Sequence, residues 1–319
     1  METMKAVRIH EYGGPEVLRY EDAPRPEPGD GDVLVRVHAA GVNPVDWKVR
    51  EGYLRKAVPH RLPLVLGWDL SGTVERLGPG ASGFAPGEAV YARPDLARDG
   101  AYAEFIAVRA AELAPKPASL DHVQAAAVPL AALTAWQALF DAPAPYTSIG
   151  LSPGQTILIH GAAGGVGHFA VQLARWRGAR VIATASGKNE RFVRELGADE
   201  FVDYTRQRFE EVVREVDAVL DTVGGQTQAR SWRVIKKGGV LASIVGRPSE
   251  AEAEAHGVRA AYVFVQPSSA QLREIARLID EGRLRPTVSE ILPLAQARRA
   301  QELSQAGHVR GKIVLRVIG

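Results

Sequence analysis

Up to about Ala125 the chain alternates apolar and polar positions in short runs: Met4–Ile9, Asp32–Ala39, Gly72–Leu77, Ala89–Ala92 and Tyr102–Val108. Clusters rich in Gly, Pro and Asp (GGPE, PRPEPGDGD, LGPGASGFAPGE, ARDGA) separate them. Period-two alternation predicts half-buried strands, and the clusters predict turns, so this part reads as a small barrel or sandwich. Near Ala125 the period changes, and AAAVPLAALTAWQALF has helical spacing and good helix formers. From Thr156 strands and helices alternate. TILIH (Thr156–His160) leads through a glycine turn into a helix ending at Arg177, with Gly178 as its terminator. RVIATA, EFVDY, AVLDTV, VLASIV and AYVFV follow as strands, with helices at NERFVREL, Arg206–Val216 and Gln226–Lys236. Apolar strands joined by helices predict a doubly wound parallel sheet of six strands. The polar PSEAEAEAHG is expected to be a solvated loop. Helices at Ala270–Glu281 and Leu294–Ala306 precede a last strand, KIVLRVI, expected to rejoin the first domain.

A length of 319 residues accommodates two domains, and 46% hydrophobic with 24% charged residues is the profile of a globular protein with a sizeable core. Lys and Arg total 39 against 37 Asp and Glu, without a basic block. Nucleic-acid and membrane-surface roles therefore have no electrostatic support. The first twenty residues contain no apolar core of a secretory signal, so a cytoplasmic location is expected. Cysteine is absent, which excludes disulfides, cysteine nucleophiles and cysteine-held metals. The eight His are scattered and form no metal-binding motif.

Chemistry concentrates at GAAGGVG (Gly161–Gly167). Its phase is Ala162-x-Gly164-x-x-Gly167, between a strand and a helix, the context of a dinucleotide fingerprint. Gly164 lets a pyrophosphate approach the backbone, Gly167 allows close helix–strand packing, and the helix N-terminus supplies N–H groups and a positive dipole end. The second strand ends in Ala185-Ser186-Gly187-Lys188, with no acid before Glu190. A carboxylate there would bind an unmodified ribose, whereas Lys188 and Ser186, with the Tyr204 hydroxyl, suit a 2′-phosphate. The expected cofactor is NADP(H). Lys188 is alternatively a solvated lysine at a helix start. Gly150-Leu151-Ser152-Pro153-Gly154 matches G-x-S-x-G, but it precedes a strand and contains proline, so it reads as a turn and not a nucleophile elbow.

Several segments together resemble the zinc-free branch of the medium-chain dehydrogenase/reductases, the ζ-crystallin-like NADPH:quinone oxidoreductases. They are MKAVRIHEYGGPEVL, VLVRVHAAGVNPVDWKVREG, GWDLSGTV, GAYAEF, AAAVPLAALTAWQAL, ILIHGAAGGVGHFAVQLA, DTVGG and GKIVL. The resemblance runs along the whole chain. It implies a GroES-like β-barrel catalytic domain (residues 1–127 and 267–319) and a Rossmann NADP(H)-binding domain (128–266) with strand order 3-2-1-4-5-6 and the nicotinamide held in the cleft between them. Zinc alcohol dehydrogenases of that superfamily carry a cysteine where Val42-Asn43-Pro44 stands and a His–Glu pair where Trp68-Asp69 stands. Without a Lewis acid, hydride transfer to a quinone or a conjugated ketone or aldehyde fits better than alcohol oxidation.

The resemblance also implies site residues. Asn43 lies near the nicotinamide or the acceptor oxygen, or is an Asn-Pro turn residue. Tyr53 lines the substrate cleft, and Asp46 orders its loop. Pro44, Thr134, Ala163, Gly164, Gly165 and Val166 contact the cofactor, and Val223, Gly224, Val245, Phe264 and Val265 border its path. The substrate loops are Val49–Pro63 and Ala92–Ala101, with parts of Gly246–Gly257. The usual state of the family is a homodimer, here expected through Gly239–Val245 and Ala261–Val265. A nucleotide-binding protein without turnover and a zinc-independent alcohol or aldehyde reductase are the competing readings.

Overall fold

The computed structural model describes residues 2–318. Its strands are β1 (Thr3–Ile9), β2 (Arg19–Pro24), β3 (Asp32–Val42), β4 (Leu64–Val65), β5 (Leu70–Leu77), β6 (Ala89–Ala92), β7 (Phe105–Arg109) and β8 (Leu113–Pro115). Then come β9 (Thr156–Ile159), β10 (Arg180–Ala185), β11 (Glu200–Asp203), β12 (Val216–Asp221), β13 (Ile235–Ser243), β14 (Arg259–Tyr262), β15 (Val288–Pro293) and β16 (Lys312–Arg316). The chain forms two compact units, one of Met1–Ala131, Pro267–Gly282 and Pro286–Gly319, the other of Ala132–Gln266 and Arg283–Arg285.

The first unit holds a three-stranded sheet, β2-β1-β4, and a seven-stranded sheet, β15-β16-β3-β5-β6-β8, with β7 also paired to β3. The long β3 is almost wholly buried, which explains its near-continuous apolar run. As expected, the last strand returns to this unit: β16 runs antiparallel to β3, with Ile313 opposite Val42. In turn β3 pairs β5, with Ala40 opposite Leu70, and β5 pairs β6, with Leu70 opposite Ala92. These registers place Asn43 just beyond β3, Asp69 just before β5, Arg93 just beyond β6 and Lys312 at the start of β16, all at one end of the sheet.

The second unit is a parallel sheet in the order β11-β10-β9-β12-β13-β14, the expected 3-2-1-4-5-6. The order reverses between β9 and β12, so the carboxyl ends of these strands open at a topological switch point. Leu158, Ile182, Val202, Val219 and Leu241 of the strands pack with Phe209, Trp232 and Val258 on one face.

Three expected elements differ. Helix Arg206–Val216 shrinks to Phe209–Val212, because Val216 is fully buried as the first residue of β12. Helix Gln226–Lys236 ends at Ser231, and Ile235 begins β13. The expected loop PSEAEAEAHG contains a helix, Glu250–His256, whose N-terminus is capped by Ser249 accepting the Glu252 N–H and whose end is closed by Gly257 at φ 64°. The expected dimer edge is also corrected in part: β13 lies between β12 and β14, so of the two expected segments β14 alone lies at an edge of the sheet.

Candidate functional site: a dinucleotide cradle and a buried polar corner

In the second unit, the turn after β9 is shaped by close approach. Gly161 has φ 61°, and a Cβ there would lie 2.5 Å from Thr222 Oγ1. A Cβ on Gly167 would lie 2.2 Å from Gly161 O, so the helix Gly167–Trp176 can begin this near the strand only with glycine. Gly164 differs, since its added Cβ would meet only Gly161 O, at 3.2 Å. Internal packing thus accounts for Gly167 but barely for Gly164. The turn is tied by Gly164 N–H to Gly161 O (2.9 Å) and by His168 Nδ1 to Gly164 O (3.0 Å).

Two buried side chains brace the neighbouring strand ends. His160 lies between Thr184 Oγ1 (3.1 Å) and Ser231 Oγ (3.0 Å), and burial pulls its pKa down to about 4, keeping it neutral. Asp221, at the end of β12, accepts the N–H groups of Val223 (3.0 Å) and Gly224 (2.7 Å) on Oδ1. Its Oδ2 accepts from Ser243 Oγ and Gln228 Nε2, both at 2.9 Å. This carboxylate fixes the loop that carries Val223 and Gly224. The sequence signal for it was an acid ending an otherwise apolar strand, AVLD.

The expected cofactor residues fall at carboxyl strand ends. Gly164, Gly165 and Val166 are half-buried in the turn after β9, beside a buried Ala163. Half-buried Ser186 and exposed Lys188 follow β10, and Tyr204, 56% exposed, follows β11. Val223 is 55% exposed and Val245 38%, a large exposure for valines at strand ends. Gly224 is half-buried with φ 79°. Phe264 and buried Val265 follow β14, and Thr134 is buried within the helix Pro129–Leu139. One acid that sequence adjacency could not show stands nearby: a Cβ on Gly187 would lie 2.4 Å from Asp203 Oδ2. The Thr205 hydroxyl and N–H hold the Asp203 carboxyl below its ordinary range, although burial acts the other way.

In the first unit, Asn43 begins the helix Pro44–Arg50 and is 2% exposed, while Pro44 is exposed. Its amide turns inward: Nδ2 donates to Asp69 Oδ2 (2.8 Å), and Oδ1 accepts from Lys312 Nζ. An ammonium only donates, so this contact fixes which end of the amide is which. Lys312 Nζ also donates to Asp69 Oδ2 and Val42 O, each at 3.1 Å. Asp69 Oδ1 accepts the Leu130 N–H at 2.6 Å. Burial raises the Asp69 carboxyl, against the pull of Lys312. Asp46 Oδ2 accepts from Asn43 N–H (2.8 Å) and Tyr102 Oη (2.7 Å), while its buried Oδ1 has no partner. Burial carries Asp46 up to about 7, the two hydrogen bonds opposing it. Tyr53 lies apart from this corner, 70% exposed and edge-on to Trp47 at 6.3 Å.

A unit of mostly antiparallel strands with a buried polar corner, accompanied by a parallel sheet with a dinucleotide fingerprint at its switch point, defines a nucleotide-dependent oxidoreductase of the medium-chain type. Residues 29–118 match the alcohol dehydrogenase GroES-like domain, and residues 196–315 match a family described as zinc-binding dehydrogenase. The chain is 35% identical to the mouse protein named NAD(P)H oxidoreductase RTN4IP1, mitochondrial, over 99% of this chain and 89% of the relative. It is also 35% identical to the Arabidopsis thaliana NADPH-dependent alkenal/one oxidoreductase, chloroplastic, over 98% of this chain and 79% of the relative. The quinone oxidoreductase of Coxiella burnetii superposes with a TM-score of 0.91 at 35% identity, covering 99% of this chain and 100% of that one. The chain belongs to the quinone oxidoreductase family of the medium-chain dehydrogenase/reductases, with NADP(H) as its cofactor.

The zinc in one family description has no counterpart in the donor set. Among the described residues no group of three or more His, Asp or Glu could hold a metal ion, and Lys312 fills the corner between Asn43 and Asp69. The expected cytoplasmic location is corrected by the relatives, of which those from mouse and zebrafish are named mitochondrial. No helix among the described residues is long and apolar enough to cross a membrane.

Proposed function

We propose that the protein is an NADPH-dependent, metal-independent reductase of quinones or α,β-unsaturated ketones and aldehydes. The observation that carries this reading is the corner of the first unit, where Asn43 and Asp69 hold a lysine ammonium in place of a ligand set. The names of the relatives from Arabidopsis thaliana and Coxiella burnetii support it. When bound, NADPH supplies the hydride, and conjugation in the acceptor spreads the negative charge, so no Lewis acid is required.

The residues of the chain then have defined tasks. The turn Gly161–Gly167 and the helix N-terminus receive the pyrophosphate, with Gly164 leaving the backbone open to it. Lys188, Ser186 and Tyr204 receive the 2′-phosphate. Asn43 has its carbonyl engaged by Lys312 and one N–H by Asp69, which leaves its second N–H as a donor to a carbonyl oxygen. Tyr53, being exposed, serves at the substrate entrance. The edge strand β14, whose outer side is partly met by residues 147–149, is the surface for a homodimer.

The test is steady-state oxidation of NADPH with 9,10-phenanthrenequinone, a small enone and an unconjugated aldehyde, with and without a chelator. Turnover of the conjugated acceptors that survives the chelator supports the reading. Tight NADPH binding with no turnover of any acceptor, or a preference for the aldehyde, overturns it.

A further inference from the structure

Arg93 stands just beyond β6, in register with Asp69 and at the same end of the sheet as Asn43 and Lys312. It is 2% exposed. Its one hydrogen bond among the described residues runs from Nη1 to the adjacent Pro94 O at 3.2 Å, and its buried Nε has no partner. No carboxylate among the described residues lies within ion-pair distance of the guanidinium, although three are close enough to act on it: Asp95, Glu112 and Asp69.

All three are engaged elsewhere. Arg109 Nη1 takes Asp95 Oδ2 (2.8 Å) and Glu112 Oε1 (3.1 Å), and Glu112 Oε2 accepts the Asp95 N–H at 3.0 Å. Asp69 is held by Lys312, Asn43 and Leu130. Opposite charge is therefore supplied at a distance, but among the described residues the only acceptor for the guanidinium is a neighbouring backbone carbonyl, and Nε has none. Burial pulls the Arg93 pKa down to about 10, the nearby carboxylates opposing it. A buried donor without an acceptor is destabilising. An oxygen-bearing ligand would meet the unsatisfied donors, because a guanidinium fork matches a carboxylate or carbonyl.

We propose that Arg93 is a specificity-determining residue that binds an oxygen of the electron acceptor other than the one conjugated to the reacting carbon, either a carboxylate or a second carbonyl. The inference rests on the reductase reading above. It makes the preferred acceptor a conjugated carbonyl compound with a second oxygen function, such as a quinone or an oxo-enoic acid. The residues proposed above for the cofactor phosphates all belong to the second unit, and Arg93 belongs to the first.

Three acceptors with NADPH test this: (E)-4-oxo-4-phenylbut-2-enoate, its methyl ester, and (E)-1-phenylbut-2-en-1-one, which lacks the second oxygen. Arg93→Met is expected to lower kcat/KM at least tenfold for the first two. It should leave the third and the KM for NADPH within twofold, with an unchanged or raised Tm. Arg93→Lys should retain part of the preference for the carboxylate. An equal loss on all three acceptors, or a fall in Tm, overturns the proposal in favour of a packing role. A raised KM for NADPH assigns the residue to the cofactor and overturns it as well. If wild type turns over none of the three, the reductase reading fails, and Arg93 is judged separately by titrating the saturated 4-oxo-4-phenylbutanoate into the NADP+-loaded protein. Binding to wild type that Arg93→Met abolishes supports the role. Binding that is absent in wild type or unchanged in the variant overturns it.

Discussion

At the residue scale, the buried polar corner depends on charge balance. Lys312 is 3% exposed and shares its donors among Asn43, Asp69 and Val42. Lys312→Met leaves the Asp69 carboxyl buried without its cation, a loss of about 3–5 kcal/mol for a broken buried pair. The double variant Lys312→Met/Asp69→Asn removes both charges and is expected to recover most of that stability in urea unfolding. Its activity should stay low, because the Asn43 amide is no longer oriented. Full recovery of kcat would show that the corner is scaffold only. The cofactor assignment is tested at Lys188, exposed beyond β10. Lys188→Ala should weaken NADPH about ten- to a hundredfold, the equivalent of a charge-assisted bond worth about 1.5–3 kcal/mol, and leave NADH nearly unchanged. Equal losses for both nucleotides would count against a 2′-phosphate site there, and Asp203 beside Gly187 makes that outcome worth measuring.

At the element scale, the two glycines of the turn after β9 should separate. Gly167→Ala forces a Cβ to 2.2 Å from Gly161 O and should cost about 1–3 kcal/mol or more of stability. Gly164→Ala meets only the 3.2 Å contact and should keep Tm while weakening NADPH, as read by fluorescence titration. The helix Pro44–Arg50 has a pH signature. The Asp46 carboxyl, ordinarily at 3.8, rises to about 7 on folding, so the folded chain holds this proton more tightly than the unfolded chain. The contribution of this group is complete below about pH 4 and is lost as pH rises through 7. His160, held down to about 4 from 6.5, has the opposite sign, contributing above 6.5 and losing it as pH falls through 4. It is common to wild type and Asp46→Asn, so it cancels between them. The Tm of Asp46→Asn relative to wild type should therefore climb from pH 5 to pH 8, and a constant difference would contradict the buried-acid account.

The same scale shows what was legible. Period-two alternation located β1, β3, β5, β6 and β7, and apolar runs located the parallel strands, because these faces are buried in the way their periods require. The short β4 and β8 left no detectable period, and β2 is mostly exposed. The helix Glu250–His256 was hidden because its first turn is acidic and only Ala253 is buried, although its Ser and Gly caps were present in the sequence. In the candidate site, the fingerprint and Asn43 were readable because each lies in a contiguous motif. Asp69, Lys312 and Arg93 were not assigned roles, because strand register brings them together from positions up to 243 residues apart.

At the scale of the whole molecule, the β14 edge can be examined in solution. Sedimentation velocity should show a dimer, and Ala260→Pro, at a position whose N–H faces away from β13, should shift it to monomer with the ladder to β13 kept. A wild-type monomer at micromolar concentration would remove the homodimer from the account. The central claim is a direct hydride transfer to a conjugated acceptor. Its most direct measurement uses NADPH carrying deuterium at C4 and (E)-1-phenylbut-2-en-1-one, with the product analysed by NMR. One deuterium on the carbon β to the carbonyl, together with a solvent-derived hydrogen on the α carbon, is the predicted result. Deuterium on the carbonyl carbon with formation of an alcohol, or a product without deuterium from the cofactor, would contradict it.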